Sequence, residues 1–85
     1  ASWVIEKNAS MIGSDSWPTE VVPNPNADLA FPVHQELITR NGVWNLENMN
    51  LDGLSVDSVY EFLFIHTPIR FKGATGSPAR PIAIR

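Results

Sequence analysis

The chain has 85 residues, 44% of them hydrophobic and 18% charged, and a formal net charge of −3. This length predicts one domain, and the composition is typical of a globular rather than a disordered protein. No lysine or arginine run is available to follow a phosphate backbone, which argues against nucleic acid as a partner. The absence of cysteine excludes disulfides and thiolate metal sites. No apolar run approaches the ~20 residues that span a bilayer.

The N-terminal residues carry no signal-peptide pattern, and the lack of cysteine suits a reducing compartment, so we expect a cytoplasmic protein with no membrane partner. Residues 2–7 read as the end of a helix, and the apolar stretch 9–13 reads as a short buried strand. Because the chain starts inside this structure and without an initiator methionine, we expect it to be a fragment. Residues 14–28 contain three prolines and are predicted to form a long irregular loop.

A helix is predicted to begin at Pro32, whose missing N–H costs nothing in a first turn, and to run to about Asn41. Gly42 is the expected C-terminal stop. Residues of the apolar stripe should face inward, and polar residues of the same helix should face water. The predicted inward residues are Val33, Leu37 and Ile38, and the predicted outward residues are Glu36, Thr39 and Arg40.

The second half of the chain is predicted to be mainly strand. Residues 43–47 read as a short strand, and residues 49–56 as a turn-rich connector. Residues 60–71 are apolar on both faces for much of their length, which is typical of a central strand, and a last short strand follows at 81–85. The sequence therefore predicts a strand-dominated α+β (α/β) fold with one main helix, formed by a single segment covering residues 1–85.

One histidine and one glutamate stand out as candidates for a metal site. His34 falls in the first helical turn, where the partial positive charge of the helix end favours a neutral imidazole, the form that binds metals. About ten helical residues at ~1.5 Å and five strand residues at ~3.3 Å span similar distances, so the strand can return Glu47 to the helix start. Imidazole with carboxylate suits Zn²⁺, Mn²⁺ or Fe²⁺. Spacing alone favours the other interpretation, in which both are ordinary surface residues, since two ligands do not make a site.

Three stretches, read in order, carry a resemblance to a known family: "IGSDSWPTEVVPNP", "FPVHQELITRNGVWNLENMNLDGL" and "VYEFLFIHTPIRFKGATGSPARPIAIR". Together they resemble the C-terminal part of the cyclase family of metal-dependent hydrolases, which includes kynurenine formamidase and isatin hydrolase. The resemblance covers nearly the whole chain. It implies a swivelling β/β/α fold, usually assembled as dimers or larger oligomers.

The resemblance implies that His34 is a ligand of a divalent metal, zinc or manganese, and that Glu47 is a second ligand able to bridge two ions. The other ligands of the family lie in a His-x-Gly-Thr-His-x-Asp-x-Pro-x-His motif, which also supplies the acid/base histidine. This motif is absent here, where the only other histidine is His66. We therefore expect at most half of a catalytic centre, no catalytic residue within the segment, and an ion held weakly or not at all. The chain by itself is expected to be inactive.

The reaction implied by the resemblance is hydrolysis of an amide or related C–N bond in a small-molecule substrate. The loop residues Asp15, Trp17 and Glu20 are expected to border the pocket, with Trp17 as an aromatic wall for the substrate. Packing of this loop against a missing N-terminal half is the other interpretation. The chain as a whole has an alternative as well, a small non-catalytic α+β binding or interaction module.

Assembly is expected to follow from the apolar character of the chain. A strand as apolar as residues 62–65 leaves hydrophobic surface uncovered when it lies outside a larger core. We expect either a homo-oligomer or association with the missing N-terminal half.

Overall fold

The computed structural model describes residues 1–85 and divides into two compact units, Ala1–Leu51 and Asp52–Arg85. It confirms a mixed α+β fold of short elements. Unit 1 contains α1 (Ser2–Glu6), β1 (Met11–Gly13), α2 (Pro32–His34), a π-helix (Gln35–Arg40) and β2 (Trp44–Leu46). Unit 2 contains α3 (Asp52–Val56), β3 (Leu63–Ile65) and β4 (Ile82–Ile84). None of the helices has the length and apolar character needed to cross a membrane.

The two strands of unit 1 pair in parallel. Ile12 of β1 lies opposite Asn45 of β2, and the backbone pairing extends by one bond beyond each end of the ladder. Parallel strands need a long crossover connection. Here the predicted irregular loop and the following helix make that connection, and the short strands predicted at 9–13 and 43–47 are both confirmed. The crossover places the helix start beside the C-terminal end of β2.

The predicted helix is confirmed in position but not in type. It begins at Pro32 and, from Gln35 onward, widens into a π-helix. Gly42 ends it with a positive φ of 65°, a conformation that glycine adopts without strain. The prediction for Ile38 is wrong, because this side chain is 44% exposed. In a π-helix the hydrogen bonds run to the fifth residue, so a stripe counted at α-helical spacing drifts off the inner face.

The hydrophobic core consists of Leu37, Val43 and Leu46, all in unit 1. Leu37 comes from the π-helix, and the other two come from β2 and the residue before it. At Gly13, at the end of β1, an added Cβ would contact the sulfur of Met49, so the Met49 side chain would have to move. The core therefore joins the helical segment to β2 next to the point where Glu47 leaves the strand.

Unit 2 differs from its prediction in two respects. Only residues 63–65 of the predicted central strand 60–71 form a strand, which pairs antiparallel with β4, and both strands are exposed throughout. A central strand needs neighbours on both edges and cover on both faces, which this unit does not supply. The predicted connector 49–56 contains the helix α3. Arg85 forms an ion pair with Asp57, the residue after this helix, and donates a 3.3 Å hydrogen bond to the Gly53 carbonyl.

The expected dominance of strands is also wrong. Each of the four strands has three residues, whereas the helical segments range from three to six residues. Each strand pairs with a single neighbour. The chain therefore has a mixed α+β structure of short helices and two-stranded sheets.

Candidate functional site

Five polar side chains gather beside the core of unit 1, and we call them the polar cluster. They come from the loop after β1, from the start of the helix, and from the C-terminal end of β2. All five residues are partly buried. The members are Thr19, Glu20, His34, Asn45 and Glu47.

The structure brings His34 and Glu47 together. Nε2 of His34 lies 3.3 Å from Oε1 of Glu47, and the two side chains are 29% and 18% exposed. The convergence expected from the matched lengths of helix and strand is therefore confirmed. The role of the two residues as metal ligands stays a prediction.

Glu20 holds the other edge of the His34 ring. Its Oε1 contacts Nδ1 of His34 and also accepts the His34 backbone N–H at 3.1 Å, while its Oε2 accepts the Val33 N–H at 2.9 Å. The residue at the N-cap position, Phe31, has a positive φ of 51° and provides no side-chain cap. A carboxylate from the preceding loop therefore satisfies the first free N–H groups of the helix.

Glu47 is held by a different set of donors. Its Oε1 accepts the Thr19 hydroxyl at 2.8 Å, the Thr19 backbone N–H at 3.1 Å and the Asn45 side-chain amide at 3.2 Å. All three bonds end on the same oxygen, so none of them uses Oε2. Asn45 and Glu47 lie two residues apart along an extended segment and therefore share one face.

Both carboxyl groups of the cluster are stabilised in their ionised form. Burial raises the pKa of Glu20, but the hydrogen bonds from the His34 side chain and from the Val33 and His34 N–H groups outweigh it and lower the pKa. Burial likewise raises the pKa of Glu47, and the bonds from Thr19 and Asn45 lower it overall. A positive charge on His34 favours both carboxylates further. Two negative charges thus flank one imidazole.

The distance between the two predicted ligand atoms suits one metal ion. Two donors on a tetrahedral zinc ion, each ~2.0–2.1 Å from the metal, are about 3.3 Å apart. Glu20 cannot be a third ligand of that ion, since it lies at Nδ1, on a different edge of the ring from Nε2. No group of three or more His, Cys, Asp or Glu side chains is arranged to hold a metal. The chain offers one nitrogen and one carboxylate, which is fewer than a complete site needs.

The predicted substrate-binding residues lie on the outside of the loop. Trp17 is 62% exposed, Asp15 is exposed, and no hydrogen bond joins either to the polar cluster. Their role stays a prediction. Glu20, expected only to border the pocket, contacts His34 directly. Sequence reasoning missed the contacts of Thr19 and Asn45; the two-residue spacing of Asn45 and Glu47 was the one signal available.

Comparison with protein-family models, with curated proteins and with solved structures gives no match to this chain.

Proposed function

We propose that the chain supplies part of the metal centre of a divalent-metal hydrolase that acts on an amide or related C–N bond. The observation that carries this is the 3.3 Å approach of His34 Nε2 to Glu47 Oε1. Its support from sequence is the resemblance to the C-terminal part of the cyclase family. The proposed parent has the swivelling β/β/α fold of that family, acts in the cytoplasm and takes a small-molecule substrate.

The chemistry divides between the ion and the residues that hold it. Zinc or manganese, when bound, supplies Lewis acidity at the carbonyl and activates water. His34 provides a nitrogen donor and Glu47 an ionised carboxylate, which suit those metals. Thr19 and Asn45 fix the orientation of Glu47 by donating hydrogen bonds to its Oε1. Trp17 and Asp15 are proposed to face the substrate from the exposed side of the loop.

The centre is completed from outside these residues. Protein sites for zinc use at least three protein ligands, and the chain provides two. We propose that the others come from a further polypeptide segment with the missing histidine motif, or from another copy of the chain in a homo-oligomer. By itself the chain is proposed to be inactive and to hold the ion weakly.

A non-catalytic binding or interaction module is the second candidate. The observation that favours it is that Glu20 and Glu47 already find hydrogen-bond donors within the protein. A cluster satisfied in this way can stabilise a loop without binding a metal. In that case His34 contributes to stability alone.

Metal titration separates the two candidates. Isothermal titration of the chain with Zn²⁺ and Mn²⁺ should show weak binding at one site, and the substitutions His34→Gln and Glu47→Gln should each lower the affinity at least about tenfold. Glu36→Gln is the matched control, because Glu36 lies on the same helix and pairs with Arg40 on the surface. The hydrolase proposal fails if no ion binds at millimolar concentration, or if both cluster variants bind as the control does.

A further inference from the structure

The contacts of Glu20 determine where the proton of the neutral His34 ring can lie. Both carboxylate oxygens accept backbone N–H groups at the start of the helix, so Glu20 acts here as an acceptor. The group it meets at Nδ1 must then be a donor. A neutral imidazole has one N–H, so a proton at Nδ1 leaves a lone pair at Nε2.

Nε2, on the other side of the ring, meets two different groups. Asn45 Nδ2 lies 3.5 Å from it and the Glu47 Oε1 lies 3.3 Å from it. Nε2 therefore has a donor and an acceptor nearby, whereas Nδ1 meets the Glu20 carboxylate. Phe31 meets the imidazole edge-on, with ring centroids 5.5 Å apart, and restricts its rotation. The ring is thus constrained on both edges and by an aromatic neighbour.

We propose that Glu20 is the positioning residue of His34: it accepts the Nδ1–H of the ring and thereby turns Nε2 toward Glu47. The same carboxylate holds the N–H groups of Val33 and His34, so ring orientation and helix start depend on one side chain. The value of this arrangement for binding a metal rests on the proposed function. The tautomer itself does not, since it is a property of the metal-free chain.

Carboxylates in this position normally have a measurable effect on a histidine ligand. A partner at the second ring nitrogen sets the tautomer and raises the basicity of the first, and its removal typically costs 10- to 100-fold in metal affinity. Glu20 meets this description from the loop after β1, twelve residues before the helix begins at Pro32. Its side chain is 3% exposed.

The test is a measurement of the ring nitrogens by NMR on the metal-free, ¹⁵N-labelled chain at about pH 8. The chain has two histidines, so His66→Gln assigns the signals. In the wild type we expect His34 to carry a proton at Nδ1, where it meets Glu20. Glu20→Ala should shift the ring toward the Nε2–H form, Glu20→Gln should have an intermediate effect, and Glu36→Gln should leave the tautomer unchanged.

The outcomes separate this proposal from the proposed function. A wild-type ring with no proton at Nδ1 overturns it, even if Glu20→Ala does not fold. An unchanged tautomer in a folded Glu20→Ala variant also overturns it. If the wild type shows the Nδ1–H tautomer and Glu20→Ala loses it, the proposal holds, whether or not Zn²⁺ binds; failure to bind Zn²⁺ then counts against the metal site alone. Where Zn²⁺ does bind, Glu20→Ala should lower its affinity 10- to 100-fold.

Discussion

The two units of the chain use their apolar residues differently. Unit 1 buries Leu37, Val43 and Leu46, whereas unit 2 buries no residue, although both of its strands consist of apolar side chains. In unit 1 a helical segment packs against the strand pair, and in unit 2 the pair β3–β4 is exposed on both faces. A two-stranded sheet is marginally stable in water without a packed face. Apolar sequence therefore produces a core only where a second layer covers it.

The total exposed surface of the chain is large for its mass. The chain exposes 6996 Å², whereas a folded monomeric protein of this mass exposes roughly 5,000 Å². Large apolar side chains contribute to the excess, among them Tyr60 at 87% and Leu63 at 61% exposure. Uncovered apolar surface of this kind marks an interaction site or a tendency to associate. This supports the proposal that the chain works as part of a larger assembly.

The largest expected effect is the loss of the core of unit 1. Leu37→Ala should lower the free energy of unfolding by about 2–5 kcal/mol, because it removes the most buried side chain of the chain. Val56→Ala is the control in unit 2, where the side chain is 82% exposed and the change should stay within about 0.5 kcal/mol. Urea unfolding followed on the indole NMR signals of Trp3, Trp17 and Trp44 reports unit 1 alone. Equal midpoints for both variants would contradict the comparison.

Amide hydrogen exchange should also distinguish the two strand pairs. We expect the amides of β2, next to the core, to exchange at least about tenfold more slowly than those of β3, since protection follows the free energy of local opening. The measurement is made at two protein concentrations. Protection of β3 that rises with concentration identifies a second copy as its cover, and equal protection of β2 and β3 at high dilution would count against the comparison.

Acid should weaken unit 1 through the two partly buried carboxylates of the polar cluster. The folded pKa values of Glu20 and Glu47 lie below their unfolded values, so their stabilisation is complete above the unfolded pKa of about 4.3 and is lost as the pH falls toward the folded values. The urea midpoint of the indole signals should therefore fall below about pH 5. In the double variant Glu20→Gln/Glu47→Gln this dependence should shrink, and in Glu36→Gln it should persist. A double variant with the wild-type pH profile would contradict the assignment of this pH dependence to Glu20 and Glu47.

The smallest expected effect concerns the glycine that ends the helix. Gly42→Ala should destabilise unit 1 by about 1–2 kcal/mol, because its φ of 65° strains any residue with a Cβ. Gly53→Ala, inside α3 with open space around it, should leave the unfolding of unit 1 unchanged. A Gly42→Ala variant with wild-type stability would show that the helix ends elsewhere in solution.

The sequence predicted the features that depend on local chemistry. Pro32 at the helix start, Gly42 at its end and Leu37 facing inward are all confirmed. The meeting of His34 and Glu47 followed from two lengths that match. These inferences needed only the geometry of one helix and one strand.

Other features depend on what lies around a segment, which periodicity does not reveal. The apolar run 60–71 reads as a central strand whether or not a second layer covers it, and here none does. The widening at Gln35 turned Ile38 outward, and nothing in the residue types indicates it. Glu20 reaches His34 across an irregular loop, so no spacing rule connects the two residues.

Glu20 contacts both the helix start and the imidazole, and this couples the loop between β1 and the helix to the His34 ring. The conformation of the loop and the orientation of the ring stabilise each other, because the same side chain interacts with both. A molecule that binds the ring only in this orientation therefore also stabilises this conformation of the loop, and anything that stabilises this loop conformation tightens that binding by the same factor. Binding at the imidazole can therefore be measured as an increase in the resistance of the loop to proteases.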